Sequence, residues 1–480
     1  MTVWKQIINV GFLLCVLPSF FVTATEQPLR VTGFSSAVTA LGSSQPLWVT
    51  ANRGGVYNDG DSVQFRNGLL VDWQRTWTTG FSMLLAIQPS VVLSENAQPL
   101  IERVELTVGL PYVLLSAGII PQTRGYIPDQ ATSSGSMSIS GNARPLPIVS
   151  VYSDGFVPLP GVLGDVLETS YGISHGRFND ERHIAGALLH EKWLYARLYQ
   201  PSAFSFHFGL VHHAMWGGNT SGTGALPATW DNYWRVFFAR QGGDDANPSD
   251  QLNSAGNSLG ILDFGLTLWF SRAVLDLYHH RFYEDRSGLE FKNALDGLWG
   301  ISVAASHEGW WPRVLTLEIV DTFHQSGKYH DLGEFGRRDI ILGGRDSYYH
   351  HGTYRSGWTH YSRIIGTPFV LTSGEGADTR ISSNRFLAGH VGFRGTIPTS
   401  NIDYRLLVSL VTHGASYASV SIIGENEPLQ RNKHFYGELV THNPLGIDSS
   451  SLTLGIGYDI RNVGGETGIG GIIQFTKQLY

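Results

Sequence analysis

The first group that could do chemistry is Ser174. Gly172-Ile173-Ser174-His175-Gly176 fits G-x-S-x-G, the turn that exposes a nucleophilic serine between a strand and a helix. Here the residues on both sides alternate as a strand does, so the elbow that would expose the hydroxyl is not predicted. His190-Glu191 opens like a zinc-protease helix, but Leu194 stands where the second histidine belongs. Histidine pairs occur at 212–213, 279–280 and 350–351. Neighbours on a strand point to opposite faces, so such a pair is poorly placed to chelate one ion. The sequence has no phosphate-binding loop and no dinucleotide fingerprint. Two other stretches combine rings, carboxylates and amides. One contains Tyr283, Glu284, Asp285, Asn293, Asp296 and Trp299. The other contains Asp346, Tyr348, Tyr349, His351, Tyr354, Trp358, Tyr361 and Arg363. Sugar rings stack their C–H faces on aromatics while carboxylates and amides take the hydroxyls, so these residues form a candidate glycan-binding site. The competing reading makes the rings an interfacial girdle and the polar groups turn residues.

The elements that must position these residues have period two. Val104, Leu106, Val108 and Leu110 alternate with Arg103, Glu105, Thr107 and Gly109. The same alternation runs through 204–211, 261–270, 315–319, 387–394 and 451–459. Each segment therefore carries one apolar face and one polar or small face. Helical period is scarce, with short candidates only at 160–168 and 180–190. A soluble sandwich and an outer-membrane barrel both fit alternating strands. Several features favour the barrel. The apolar rows approach the ~9–11 residues that cross a bilayer. Trp48, Trp193, Tyr199, Trp216, Trp230 and Trp269 bound strands as a girdle would. Arg103, Glu105, Asp263, Glu318, Arg394 and Asp459 in the polar rows suit a hydrated lumen. At roughly 25 residues for each strand with its share of loop, the chain makes a closed antiparallel transmembrane barrel of about 18 strands. Short helices are minor, and the Ser/Gly/Asn tracts at 131–143 and 243–258 read as long loops.

Composition agrees. Of 480 residues 57 are Gly, 12% are aromatic and only 15% are charged. The apolar share of 42% is too high for a disordered chain. The net charge of −7 leaves no basic excess for nucleic acid. Residues 1–24 read as a secretory signal peptide, with Lys5, an apolar stretch from Ile7 to Val22, and small residues at Val22 and Ala24, so cleavage is expected before Thr25. Cys15, the only cysteine, lies in that leader. Residues 25–480 read as one domain, without a run of ~18 apolar residues that could span as a helix.

Together and in order, the motifs resemble the Wzi family of outer-membrane capsule-assembly proteins. The elements are Ala51-Asn52-Arg53-Gly54-Gly55; Leu189-His190-Glu191-Lys192-Trp193-Leu194-Tyr195; and Gly209-x-x-His212-x-x-x-Trp216-Gly217-Gly218. The more specific ones follow. Phe282-Tyr283-Glu284-Asp285-x-Ser287-Gly288 leads to Asn293-x-x-Asp296-Gly297-Leu298-x-Gly300 and Gln325-Ser326-Gly327. Then comes Asp346-x-Tyr348-Tyr349-x-His351-x-x-Tyr354-x-x-Gly357-Trp358-x-x-Tyr361-x-Arg363. The resemblance implies a closed barrel that binds capsular polysaccharide at the cell surface, with outer-membrane lipid and other polysaccharide export components as partners, and with neither catalysis nor a cofactor. The family's N-terminal helical bundle is not expected in residues 25–46, which are short and rich in Ser, Gly and Thr. No contact residues come with the resemblance, so the aromatic and acidic constellation stands as the candidate site. A saccharide-selective porin is the alternative reading, and a hydrolase using Ser174 a third.

Overall fold

The computed structural model describes residues 24–480 apart from 27–28, 43, 79, 221–223, 244–254, 285–292, 294, 307–311, 328–345, 416–428 and 462–466. The expected leader, except Ala24, therefore lies outside the described residues. The dominant element is a sheet of 20 strands. Two of these, Ala24–Glu26 and Val157–Pro158, are short additions to neighbouring strands. The rest form a closed wall of 18 strands.

In chain order the wall is β1 (Arg30–Leu41), β2 (Val63–Trp77), β3 (Ser82–Leu93), β4 (Ala97–Leu110), β5 (Val113–Ile119) and β6 (Pro147–Tyr152). Next come β7 (Leu167–Arg177), β8 (Leu188–Gln200), β9 (Phe204–Trp216), β10 (Asn257–Trp269), β11 (Ala273–Tyr283) and β12 (Gly297–Ala305). Last are β13 (Val314–Asp321), β14 (Arg385–Thr396), β15 (Ile402–Gly414), β16 (Gln430–His442), β17 (Ser450–Arg461) and β18 (Thr467–Gln478). Each strand pairs antiparallel with the next. β18 returns to β1 in a ladder from Thr32↔Gln478 to Leu41↔Ile469, which closes the barrel and leaves no wall edge unpaired.

The alternation in the sequence is the two faces of this wall. Leu194, Leu198, Ile301, Leu410 and Ile456 are exposed on the outside. Glu105, Asp263, Glu318 and Asp459 are buried on the inside. Connections are short at one end (78–81, 111–112, 201–203, 270–272) and long at the other (42–62, 120–146, 217–256, 322–384).

The lumen is filled, and the fold's apolar core lies there. Helix α1 (Leu47–Thr50) carries Trp48 and Val49 inward, loop 120–146 adds Met137 and Ile139, and segment 346–373 adds Tyr348, Tyr349, Trp358 and Phe369. They pack on Phe282, Leu298, Val320 and Phe386 of the wall. The carboxylates expected to line a hydrated lumen are instead where the wall grips these segments. Asp263 accepts the Tyr126 N–H at 2.6 Å, Glu318 the Ser134 N–H at 2.7 Å, and Asp459 the Leu47 N–H at 3.0 Å. Arg394 donates to Asp129 at 2.9 Å. Each bond satisfies a backbone or side-chain group that loop burial would otherwise strand. Gly392 is required for this approach, because a Cβ there would collide with the Thr132 carbonyl of the inward loop.

Several expectations need correction. Residues 180–190 contain no helix: Ile184–Ala185 is a strand fragment and β8 begins at Leu188. Within 160–168 only Val162–Asp165 turns, as a short 3-10 helix. A helix that was not expected, α2 (Trp230–Phe237), begins at Thr229, whose side chain accepts the Asn232 N–H. The girdle assignment fails for Trp48, buried inside the lumen, and for Trp193, Tyr199 and Trp269, which share the inward parity of Tyr195 and Asp263. Trp193 lies over Gly172 and under the Arg124 guanidinium at 4.0 Å. Position near a strand end does not determine which face a ring takes.

Candidate functional site

The two aromatic and acidic stretches do converge at the long-loop end, but as the packed root of segment 346–373. Asp296 accepts the Tyr348 hydroxyl at 2.8 Å and the Gln325 N–H at 2.7 Å. Asn293 donates to the Phe282 carbonyl at 2.8 Å and also to the Tyr348 hydroxyl. Glu284 accepts the Tyr349 N–H at 2.6 Å, and the Tyr349 hydroxyl donates to the Met137 carbonyl at 2.6 Å. Asp346 accepts the Ser326 hydroxyl at 2.5 Å. The hydroxyls of Tyr283 and Tyr354 donate to the carbonyls of Val211 and Gly217, and the Trp358 indole to Asn257. The His351 Nδ1 accepts from the Thr353 and Tyr354 N–H groups. Burial dominates the electrostatics here: it pushes the Asp296 carboxyl up to about 6 and the His351 imidazole down to about 4. Asp285 lies outside the described residues.

The remaining candidates lie elsewhere. Trp299 is 44% exposed on the outer face and stacks on His279 with ring centroids 3.6 Å apart, the placement of a girdle residue. Tyr361 and Arg363 lie outside this cluster, each on the edge of a cavity. Arg363 donates to Asp59 at 2.8 Å and to the Tyr57 carbonyl at 3.1 Å. It borders a cavity of about 400 Å³ shared with Thr50, Phe369, His413, His434 and Arg461.

Tyr361 borders a cavity of about 560 Å³ with Gln98, Glu102, Arg144 and Asn179. This cavity shares Gly54, Val56, Glu102, Arg144 and Pro145 with a neighbouring one of about 440 Å³, lined also by Arg53, Arg66, Gln88 and Gln130. The pair makes a continuous cleft between the inward loops and strands β2 to β4. At its junction the Arg144 guanidinium lies 4.4 Å from the centre of the Tyr361 ring and donates to the Gly55 carbonyl at 3.2 Å. Burial lowers the pKa of Arg144, with Tyr361 and Glu102 opposing that, and the group stays a cation. Among the described residues Arg144 has no carboxylate within ion-pair distance. The Tyr361 ring remains 39% exposed beside it. An aromatic platform, a cation without a counter-ion, and the amides of Gln88, Gln98 and Gln130 form an apolar wall with placed polar groups at the scale of a small-ligand site.

The other motifs have structural placements. Ser174 is buried in mid-β7, where its Oγ accepts from Ser150 Oγ at 2.8 Å. His175 points to the opposite face, so no nucleophile elbow forms. His213 faces inward to Ser138 and Glu191, whereas His212 shares the outward parity of Leu210.

A model of the family described as capsule assembly protein Wzi matches residues 30–393. The chain belongs to the Wzi capsule-assembly family. Among solved structures it is similar to Wzi of Escherichia coli, described as an outer-membrane protein involved in group 1 capsule assembly and as a carbohydrate-binding β-barrel. The TM-score is 0.56 and the identity 16%, over 93% of this chain and 83% of that one, which shows a shared fold. Looser likenesses are to OccK5 (OpdH) of Pseudomonas aeruginosa, with a TM-score of 0.48, 8% identity and 96% and 100% of the two chains covered. OpdQ of the same organism gives a TM-score of 0.46, 8% identity and 95% and 98% coverage. No curated protein matches by sequence. As a Wzi-family barrel the chain is an outer-membrane protein, and its long connections are the extracellular ones. Residues 30–41, within the stretch 25–46 where no helical bundle is expected, form β1.

Proposed function

We propose that this Wzi-family barrel binds capsular polysaccharide at its extracellular end and holds it at the cell surface without chemically altering it. In this reading the glycan enters the cleft beside Tyr361. A sugar ring stacks on the tyrosine, Arg144 meets carboxylate or hydroxyl groups, and the buried candidates from Tyr283 to Trp358 fix the segment that presents them. The observation that carries the reading is the Tyr361–Arg144 pair at the mouth of a polar cleft in a barrel whose lumen is filled. A filled lumen favours capture over passage, so the binding role ranks above a saccharide porin. The Ser174 hydroxyl, buried against Ser150, gives a hydrolytic role no support.

The test is genetic and then local. Deleting the gene in its host is expected to release polysaccharide into the medium while synthesis continues. Restoring the gene with Tyr361→Ala and Arg144→Gln together is expected to leave that release uncorrected. Full surface retention in the deletion strain overturns the proposal.

A further inference from the structure

The wall carries a second polar cluster, on its outside. In β8 the even-numbered residues face outward, as exposed Leu194 and Leu198 show, and His190 and Lys192 share that face. Register places His175 opposite His190, and His212 opposite Lys192. Helix α2 lies over them. The Tyr233 and Phe237 rings are 5.8 Å and 5.2 Å from the His190 ring, and Lys192 Nζ stands 4.3 Å from the centre of Phe237. From its other side the helix turns Trp230, Trp234 and Phe238 away from the barrel at 77%, 50% and 56% exposure. These elements sit within a few residues of the extracellular ends of β7, β8 and β9.

Three cations lie on or beside this outer face: Lys192 beneath the helix, Arg177 exposed opposite Leu188 with its guanidinium against Gly186, and Arg240 just past the helix end. Among the described residues none of the three is ion-paired with a carboxylate. His190 and His212, buried under the helix, have both ring nitrogens without a hydrogen-bond partner. Cations on a lipid-facing surface need partners, and at this depth those are lipid headgroups. Exposed tryptophans on a short amphipathic helix mark the same level, where indoles insert among headgroups and acyl chains.

We propose that this outer patch binds a phosphate-bearing lipid of the outer leaflet. The phosphates lie against Arg177, Lys192 and Arg240, and Trp230, Trp234 and Phe238 insert beside the lipid. The site is separate from the glycan cleft, on the opposite side of the barrel wall, and does not depend on it.

The test uses the full barrel in mild detergent with lipid A as the probe, supplied phosphorylated or enzymatically dephosphorylated, and bound lipid counted by native mass spectrometry. The wild type is expected to retain the phosphorylated form at least about tenfold better, a preference of about 1.4 kcal/mol. Arg177→Gln, Lys192→Gln and Arg240→Gln combined are expected to abolish that preference while heat-modifiable migration on gels shows an intact barrel. Arg240→Gln alone lies outside the wall and serves if the combined variant does not fold, with a partial loss expected. Trp230→Ser with Trp234→Ser is expected to lower retention of both forms. Equal retention of the two forms by the wild type, or an undiminished preference in the cation variants, overturns the proposal.

Discussion

Asp263 of the wall and Tyr126 of the inward loop, 137 residues apart in sequence, are joined by a 2.6 Å bond from the Tyr126 N–H to the Asp263 carboxylate. The same carboxylate accepts the Tyr195 hydroxyl at 2.8 Å, while the Tyr126 carbonyl meets His280 Nε2 at 2.9 Å. The loop backbone is thus held on both its donor and its acceptor. Asp263→Ala strands the Tyr126 N–H in the interior, which costs about 1–3 kcal/mol. The barrel ladder does not use this side chain, so the expected outcome is a folded barrel with a loosened plug. Single-channel recording should show openings in the variant that the wild type lacks.

Gly392 tests the same contact sterically. Gly392→Ala places a methyl against the Thr132 carbonyl, and because that neighbour is backbone the inward loop itself must move. Limited proteolysis of the variant is expected to cut within 120–146, where the wild type resists, with the wall still heat-modifiable. An uncut loop would mean that it yields locally without undocking.

Asp296 gives the extracellular end a pH dependence. Burial raises its carboxyl from the usual value near 3.8 to about 6. A raised acid favours the docked loop fully below about pH 4, and that contribution is lost as pH rises through about 6, amounting to about 3 kcal/mol at most. Proteolysis of the long-loop end should therefore accelerate between pH 4 and 7 in the wild type. Asp296→Asn, which cannot ionise, is expected to flatten that profile. A wild-type profile without this rise contradicts the assignment.

The wall was legible in the sequence because a half-buried strand has to alternate: 104–110, 204–210 and 452–458 all lie in wall strands. Direction within the wall was less legible. Tyr199 and Trp269 stand near strand ends as girdle rings would and Trp193 stands mid-strand, yet odd parity turns all three inward, and that parity depends on pairing rather than on residue type. The candidate glycan residues cluster in sequence, but most of their partners come from distant elements, as with Tyr349 and Met137 of loop 120–146 or Trp358 and Asn257 of β10. Their chemistry is therefore used up inside the plug. Arg144 gave no local signal, since only the fold brings it under Tyr361. Helix α2 did carry one: Thr229 as a cap, Asp231 in the first turn and Arg235 four residues later.

Retention of polysaccharide at the Tyr361–Arg144 cleft makes both side chains necessary for binding. Its most direct measurement is the affinity of the host's purified capsular polysaccharide for the detergent-solubilised barrel, wild type against Arg144→Gln and Tyr361→Ala. Saturable binding by the wild type is expected, with a loss of about tenfold or more in each variant, about 1.4 kcal/mol apiece. Equal affinity in all three proteins, or no binding by the wild type, would contradict it.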